Sequence, residues 1–123
     1  MKLQAEKPPA SNTFTGYGEG YVLVNQERIT RSVVVMPDRI WTQWEASTFE
    51  ALAEEHFAAL AALDCDVLLL GTGARLRFPK PHLTRPLLRL GRGIEVMDVP
   101  AACRTYNLLL NEGRKVAAAL LMS

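Results

Sequence analysis

The stretch Leu68-Leu69-Leu70-Gly71-Thr72-Gly73-Ala74-Arg75-Leu76-Arg77 carries the residues best suited to chemistry. An apolar run ends in two glycines, whose backbone N–H groups can approach an anion closely. Arg75 and Arg77 follow with forked donors that suit a carboxylate or phosphate. The dinucleotide pattern G-x-G-x-x-G fails at its third position, Leu76, and Pro79 and Pro81 prevent the helix that would meet a pyrophosphate. No P-loop lysine-serine pair follows. What remains is a turn at the carboxyl end of a strand, a place where open α/β sheets bind ligands, suited to a small anionic ligand. Arg75, Arg77, Lys80, Arg85, Arg89 and Arg92 continue with no acidic residue between Val67 and Ile94. A solvated loop and helix face is the plainer account of that run.

A second group lies on a C-terminal helix. Arg104, Asn107 and Asn111 recur at i, i+3 and i+7 and share a face that can line a polar contact. Cys103 falls in the first turn of that helix, where the dipole lowers a thiol pKa. Nucleophilic catalysis would also need a base, and the chain holds only His56 and His82. A small buried hydrophobe is the simpler role for Cys103. His56 lies on or beside an apolar helix face with no second ligand at metal spacing, and no carboxylates pair for acid–base work. No catalytic residue, metal site or cofactor is therefore assigned. The candidate binding residues are Gly71, Thr72, Gly73, Arg75, Arg77, Arg104 and Asn107.

The whole chain frames these groups. Its 123 residues make one domain, and a net charge of +1 gives no general affinity for polyanions. Residues 1–66 hold five Lys/Arg against ten Asp/Glu, net −5; residues 67–123 hold nine against three, net +6. Such asymmetry marks a polar binding face or two halves that fold onto each other. Within the basic segment Phe78 is the one aromatic residue, too few for base stacking, and a nucleic-acid partner is set aside. Two cysteines are too few for a disulfide framework, no apolar run reaches a membrane span, and the N-terminus lacks a signal or transit pattern. The expectation is a cytoplasmic, prokaryotic protein.

The elements that must position the candidates follow from pattern. Residues 1–12, with Pro8-Pro9, suggest a flexible tail, and 13–123 a single domain. "YGEGYVLV" and "ERITRSVVVM" form a β-hairpin around Asn25-Gln26, ended by Met36-Pro37-Asp38, and "RIWTQW" adds a short strand with Trp41 and Trp44 packed. Ser47 and Glu50 fit a capping box opening a helix through Phe57 and Leu63. "DVLLLG", "IEVMD" and "VAAALLM" are continuous apolar runs, as strands covered on both faces require. Between them lie a short helix from Thr84 to Gly91 and a longer one from about Pro100 to Glu112, capped by Asp98 or Val99 and stopped by Gly113. Tyr106 is in register with Ala102, Leu109 and Leu110, so its ring should pack against the sheet.

By Leu70-Gly71-Thr72-Gly73, Ala102-Cys103-Arg104-Thr105-Tyr106-Asn107 and Glu112-Gly113-Arg114, the chain resembles the NADH dehydrogenase alpha-subcomplex assembly factor three family, which also includes Mth-domain proteins of unknown function. The likeness spans roughly Tyr17 to Met122. It departs at Val99-Pro100, where a threonine would be expected after the aspartate. The resemblance implies a three-layer α/β fold with a mixed central sheet flanked by helices and an N-terminal hairpin. It also implies a non-enzymatic interaction or assembly protein with a protein partner, related to respiratory complex assembly. A module or enzyme that binds an anion or small molecule at the Gly71-Thr72-Gly73 turn is the alternative.

Overall fold

The computed structural model describes residues 11–123, so the expected tail lies outside it except for Ser11 and Asn12. Asn12 is pinned rather than loose. Its backbone N–H donates to the Pro37 carbonyl at 2.8 Å, its Nδ2 donates to the Met36 carbonyl at 2.9 Å, and its carbonyl accepts the Tyr106 hydroxyl at 2.8 Å.

β1 (Phe14–Gly18), β2 (Tyr21–Val24) and β3 (Glu27–Ile29) form a three-stranded antiparallel meander, which contains the expected hairpin around Asn25-Gln26 as β2–β3 and extends it by β1. An additional turn at Glu19-Gly20, with Gly20 at φ 77°, splits what the alternation pattern shows as one strand. Asn25 and Gln26 both have positive φ, 53° and 73°, as a two-residue primed turn requires. The chain then leaves this small sheet, and β4 (Val33–Met36) joins a different one.

That main sheet has the order β5-β4-β8-β6-β7, with β5 (Arg39–Trp41), β6 (Val67–Thr72), β7 (Glu95–Met97) and β8 (Val116–Leu121). β6 runs parallel to β7 and β8, whereas β4 is antiparallel to β5 and β8, so the sheet is mixed as expected. Side chains alternate across a strand. Along β8, Val116, Ala118 and Leu120 therefore face the meander and α3 (Val99–Asn111). Ala117, Ala119 and Leu121 face α1 (Glu54–Ala61) and α2 (Arg85–Arg89). Covered on both faces, β8 can carry no polar residue, which is why it appears as a continuous apolar run. The three layers are α1 and α2, the sheet, and α3 with the meander.

The first helix does not open at Ser47. Thr48 Oγ1 accepts the Ala51 N–H at 3.1 Å and closes one separate turn, and α1 begins only at Glu54. His56 acts there as the third residue of a capping box: its Nδ1 accepts the Ala53 N–H at 3.0 Å. Trp44 is buried and donates its indole N–H to the His56 carbonyl at 3.0 Å. Both histidines sit with α1 and the 3-10 turn Pro81–Thr84.

Candidate functional site

The Gly71-Thr72-Gly73 turn is built for packing and for its own closure. Gly71 lies under α3, and a methyl group there would meet Leu120 at 2.7 Å, Val99 at 3.2 Å and Ala102 at 3.3 Å. Its missing side chain lets the helix approach the sheet. Thr72 is fully buried; its Oγ1 donates to the Arg75 carbonyl at 2.8 Å and accepts the Arg77 N–H at 3.0 Å. Gly73 has φ 92°, and its carbonyl accepts the Val99 N–H at 2.9 Å.

Arg77 turns inward. Its guanidinium donates to the Thr72 carbonyl through Nε at 3.2 Å and Nη2 at 2.7 Å, lies 4.5 Å from the Phe49 ring centroid, and pairs with Glu50 at 3.2 Å. The sequence singled out this arginine as an anion ligand; the fold employs it as a strap from the turn to the 48–51 segment. Arg75 is exposed, and its guanidinium has no bonded partner among the described residues.

The α3 candidates are also committed to the fold. Asn107 Oδ1 accepts the Phe14 N–H at 3.0 Å and its Nδ2 donates to the Phe14 carbonyl at 2.8 Å, so the amide satisfies an edge of β1 as a neighbouring strand would. Arg104 Nη1 donates to the Tyr17 hydroxyl at 2.8 Å. Tyr106 is buried and meets Phe14 edge-on at 5.0 Å between centroids, packing as expected. At the helix start, Asp98 Oδ1 accepts the Ala101 N–H at 2.8 Å and its carbonyl accepts the Ala102 N–H at 3.0 Å. With Val99 bonded to Gly73 and Pro100 lacking an N–H, no donor there remains for an anion.

Cys103 is buried, and desolvation pushes its thiol up to about 12 against a smaller lowering by Arg104. Burial outweighs any lowering by the dipole, and the sheet separates this thiol from both histidines. The expectation of a small buried hydrophobe holds.

One cleft gathers what remains. It encloses about 790 Å³ between the β1–β2 turn, the Gly73-Ala74-Arg75 loop and the start of α3. Tyr17, Val99, Pro100 and Met122 give it a largely apolar lining, and Glu19 and Arg75 border it. Of the seven candidates, Gly73, Arg75 and Arg77 line this cleft, while Gly71, Thr72 and Asn107 do not. Arg104 reaches its wall through Tyr17. Sequence reasoning missed Tyr17, Glu19 and Met122. The Gly18-Glu19-Gly20 spacing was the available signal, hidden by treating the segment as continuous strand.

The order of layers, α1 and α2 on one face of a mixed five-stranded sheet and α3 with the meander on the other, is that of a Mth938-like α/β domain. A Bordetella pertussis structure described as a Mth938-like domain superposes with a TM-score of 0.74 at 36% identity, over 98% of this chain and 92% of that one. A Bordetella parapertussis crystal structure gives 0.83 at 40% identity, over 93% and 98%. The chain belongs to the protein family of unknown function DUF498/DUF598, whose profile matches residues 14–121. It is similar to bovine NADH dehydrogenase [ubiquinone] 1 alpha subcomplex assembly factor 3, at 33% identity over 121 residues and 97% of this chain. The chain spans 65% of the length of that relative. Among the described residues no helix is long and apolar enough to cross a membrane.

Proposed function

We infer that this protein is a non-catalytic interaction module that assists assembly of a multisubunit oxidoreductase from the cytoplasmic side. The observation that carries the reading is the internal use of the candidate polar groups. Thr72, Arg77 and Asn107 all close the fold's own turns and edges, leaving a cleft that is apolar within and polar at its rim. Such a surface suits an extended segment of a partner protein, with an apolar side chain seated against Tyr17, Val99 and Met122 and an acidic residue opposite Arg75. The relationship to assembly factors supports the same class of role. The small-anion alternative has less to work with, because the donors at the start of α3 are taken and Arg77 is tied down.

Tagged protein recovered from its native host under mild cross-linking tests the reading. The expected result is one enriched partner whose yield falls when Arg75 is changed to glutamate in a chain of unchanged melting temperature. Recovery of the chain alone, or an equal partner yield from Arg75→Glu, overturns it.

A further inference from the structure

Between β6 and β7 the chain presents a second surface that neither the cleft nor the family motif uses. Phe78, Leu88 and Leu90 are 70%, 67% and 62% exposed, and with Leu76 they account for four of the six exposed large hydrophobics among the described residues. Singly exposed apolar residues need no explanation, but a concentration in one short connection does. Lys80, Arg85 and Arg89 are interleaved with them and also exposed. Of these, Arg85 alone has an ion-pair partner, Glu54 at a marginal 3.5 Å, and Lys80 and Arg89 have none among the described residues. Pro79, Pro81 and Pro86 stiffen the backbone, so the segment loses little conformational freedom on docking. Leu83 and Leu87 pack inward against the α1 side of the sheet and anchor the outward residues from beneath.

We propose that this Phe78–Leu90 segment is a peripheral docking surface for an anionic lipid bilayer, with the phenylalanine and leucines entering the headgroup boundary and Lys80, Arg85 and Arg89 facing lipid phosphates. Phe78, Leu88 and Leu90 protrude from the surface, and none of them lines the cleft. A partner protein would have to supply shaped pockets for them, whereas a lipid interface deforms around protruding side chains. Cations interleaved with outward apolar residues are the composition that holds a protein in the interface plane without a spanning helix. The surface is separate from the cleft, so the chain can hold a partner and a membrane together.

The test is flotation of the purified full chain with vesicles of phosphatidylcholine alone or of phosphatidylcholine with phosphatidylglycerol. Binding is expected to the anionic vesicles and not to the neutral ones, and to weaken as salt is raised. Lys80→Glu combined with Arg89→Glu should reduce the bound fraction roughly tenfold or more. Phe78→Ser combined with Leu90→Ser should remove the binding that survives high salt. All four positions are exposed, so the melting temperatures should stay near that of the parent chain. Absence of flotation at low salt, or equal binding by both double variants, overturns the proposal. Loss of a co-purified protein from these variants with no vesicle binding also overturns it, in favour of an acidic protein partner. The vesicles contain no protein partner, so failure here leaves the cleft reading intact, and the reverse also holds.

Discussion

Arg77 and Arg92 differ from Arg75 and Arg89 in a way their shared run conceals. The first two point into the molecule. Arg92 donates to the carbonyls of Ala61 at 2.9 Å, Leu63 at 2.6 Å and Cys65 at 2.6 Å, closing the end of α1 that has no basic residue of its own. Arg77 does the same for the β6 turn. Arg75 and Arg89 are exposed, and their guanidinium groups bond to nothing among the described residues. A guanidinium can serve as a binding group only if the backbone around it is already satisfied. The inward arginines meet that requirement for the outward ones by satisfying carbonyls that would otherwise be orphaned. A stretch that looks uniformly basic is thus half scaffold and half surface.

The largest test of that contrast is Arg92→Ala. Three carbonyls lose a charged donor, and stability should fall by about 3 kcal/mol, measured as a lower urea midpoint at an unchanged slope. Arg77→Ala should cost about 2 kcal/mol, mainly through the Thr72 carbonyl and the Phe49 stack. Glu50 is exposed, and its ion pair adds little. Arg77→Lys should recover only part of the loss, because an ammonium cannot reproduce the planar fork. If Arg77→Ala left stability unchanged, the arginine would belong with the outward set.

The buried thiol extends the same contrast to a group whose charge the fold excludes. Folding raises the pKa of Cys103 from 9.0 to about 12, so the native state holds that proton longer than the unfolded chain. The associated stability is full below pH 9 and is lost as pH climbs toward about 12. Burial raises the Tyr106 hydroxyl as well, so its contribution declines over a still more alkaline range. Urea midpoints followed upward from pH 8 should decline, and Cys103→Ala should flatten the earlier part of that decline. The smallest effects belong to Arg75→Ala and Arg89→Ala, each expected within about 0.5 kcal/mol of the parent chain. A larger loss at either would erase the distinction from Arg77 and Arg92.

Much of the architecture is visible in the pattern of residue types. β6, β7, β8 and α3 follow from apolar runs separated by Asp98, Gly91 and Gly113, because burial on both faces and helix capping leave local marks. The meander was less legible, since strand propensity continues through Gly18-Glu19-Gly20 and only the positive φ at Gly20 reveals the turn. The start of α1 was misplaced because Ser47 and Glu50 carry a capping pattern, whereas the cap is made by His56, a residue type that rarely performs it. At the site, residue type identifies hydrogen-bonding capacity but not the partner. Nothing near Asn107 in sequence shows that it bonds the backbone of Phe14, or that Thr72 closes its own loop. Those partners are set by tertiary contacts across many residues.

β8 lies between β4 and β6, and it is synthesised after all seven other strands. A chain still growing on the ribosome can form the meander, the β4–β5 pair and the β6–β7 pair, but nothing yet joins the last two. Until β8 emerges, β4 and β6 each expose an unpaired edge rich in valine or leucine, the kind of edge that invites pairing with another chain. The sheet therefore assembles in one late step, and the interval before it is when the nascent protein most needs shielding by a chaperone.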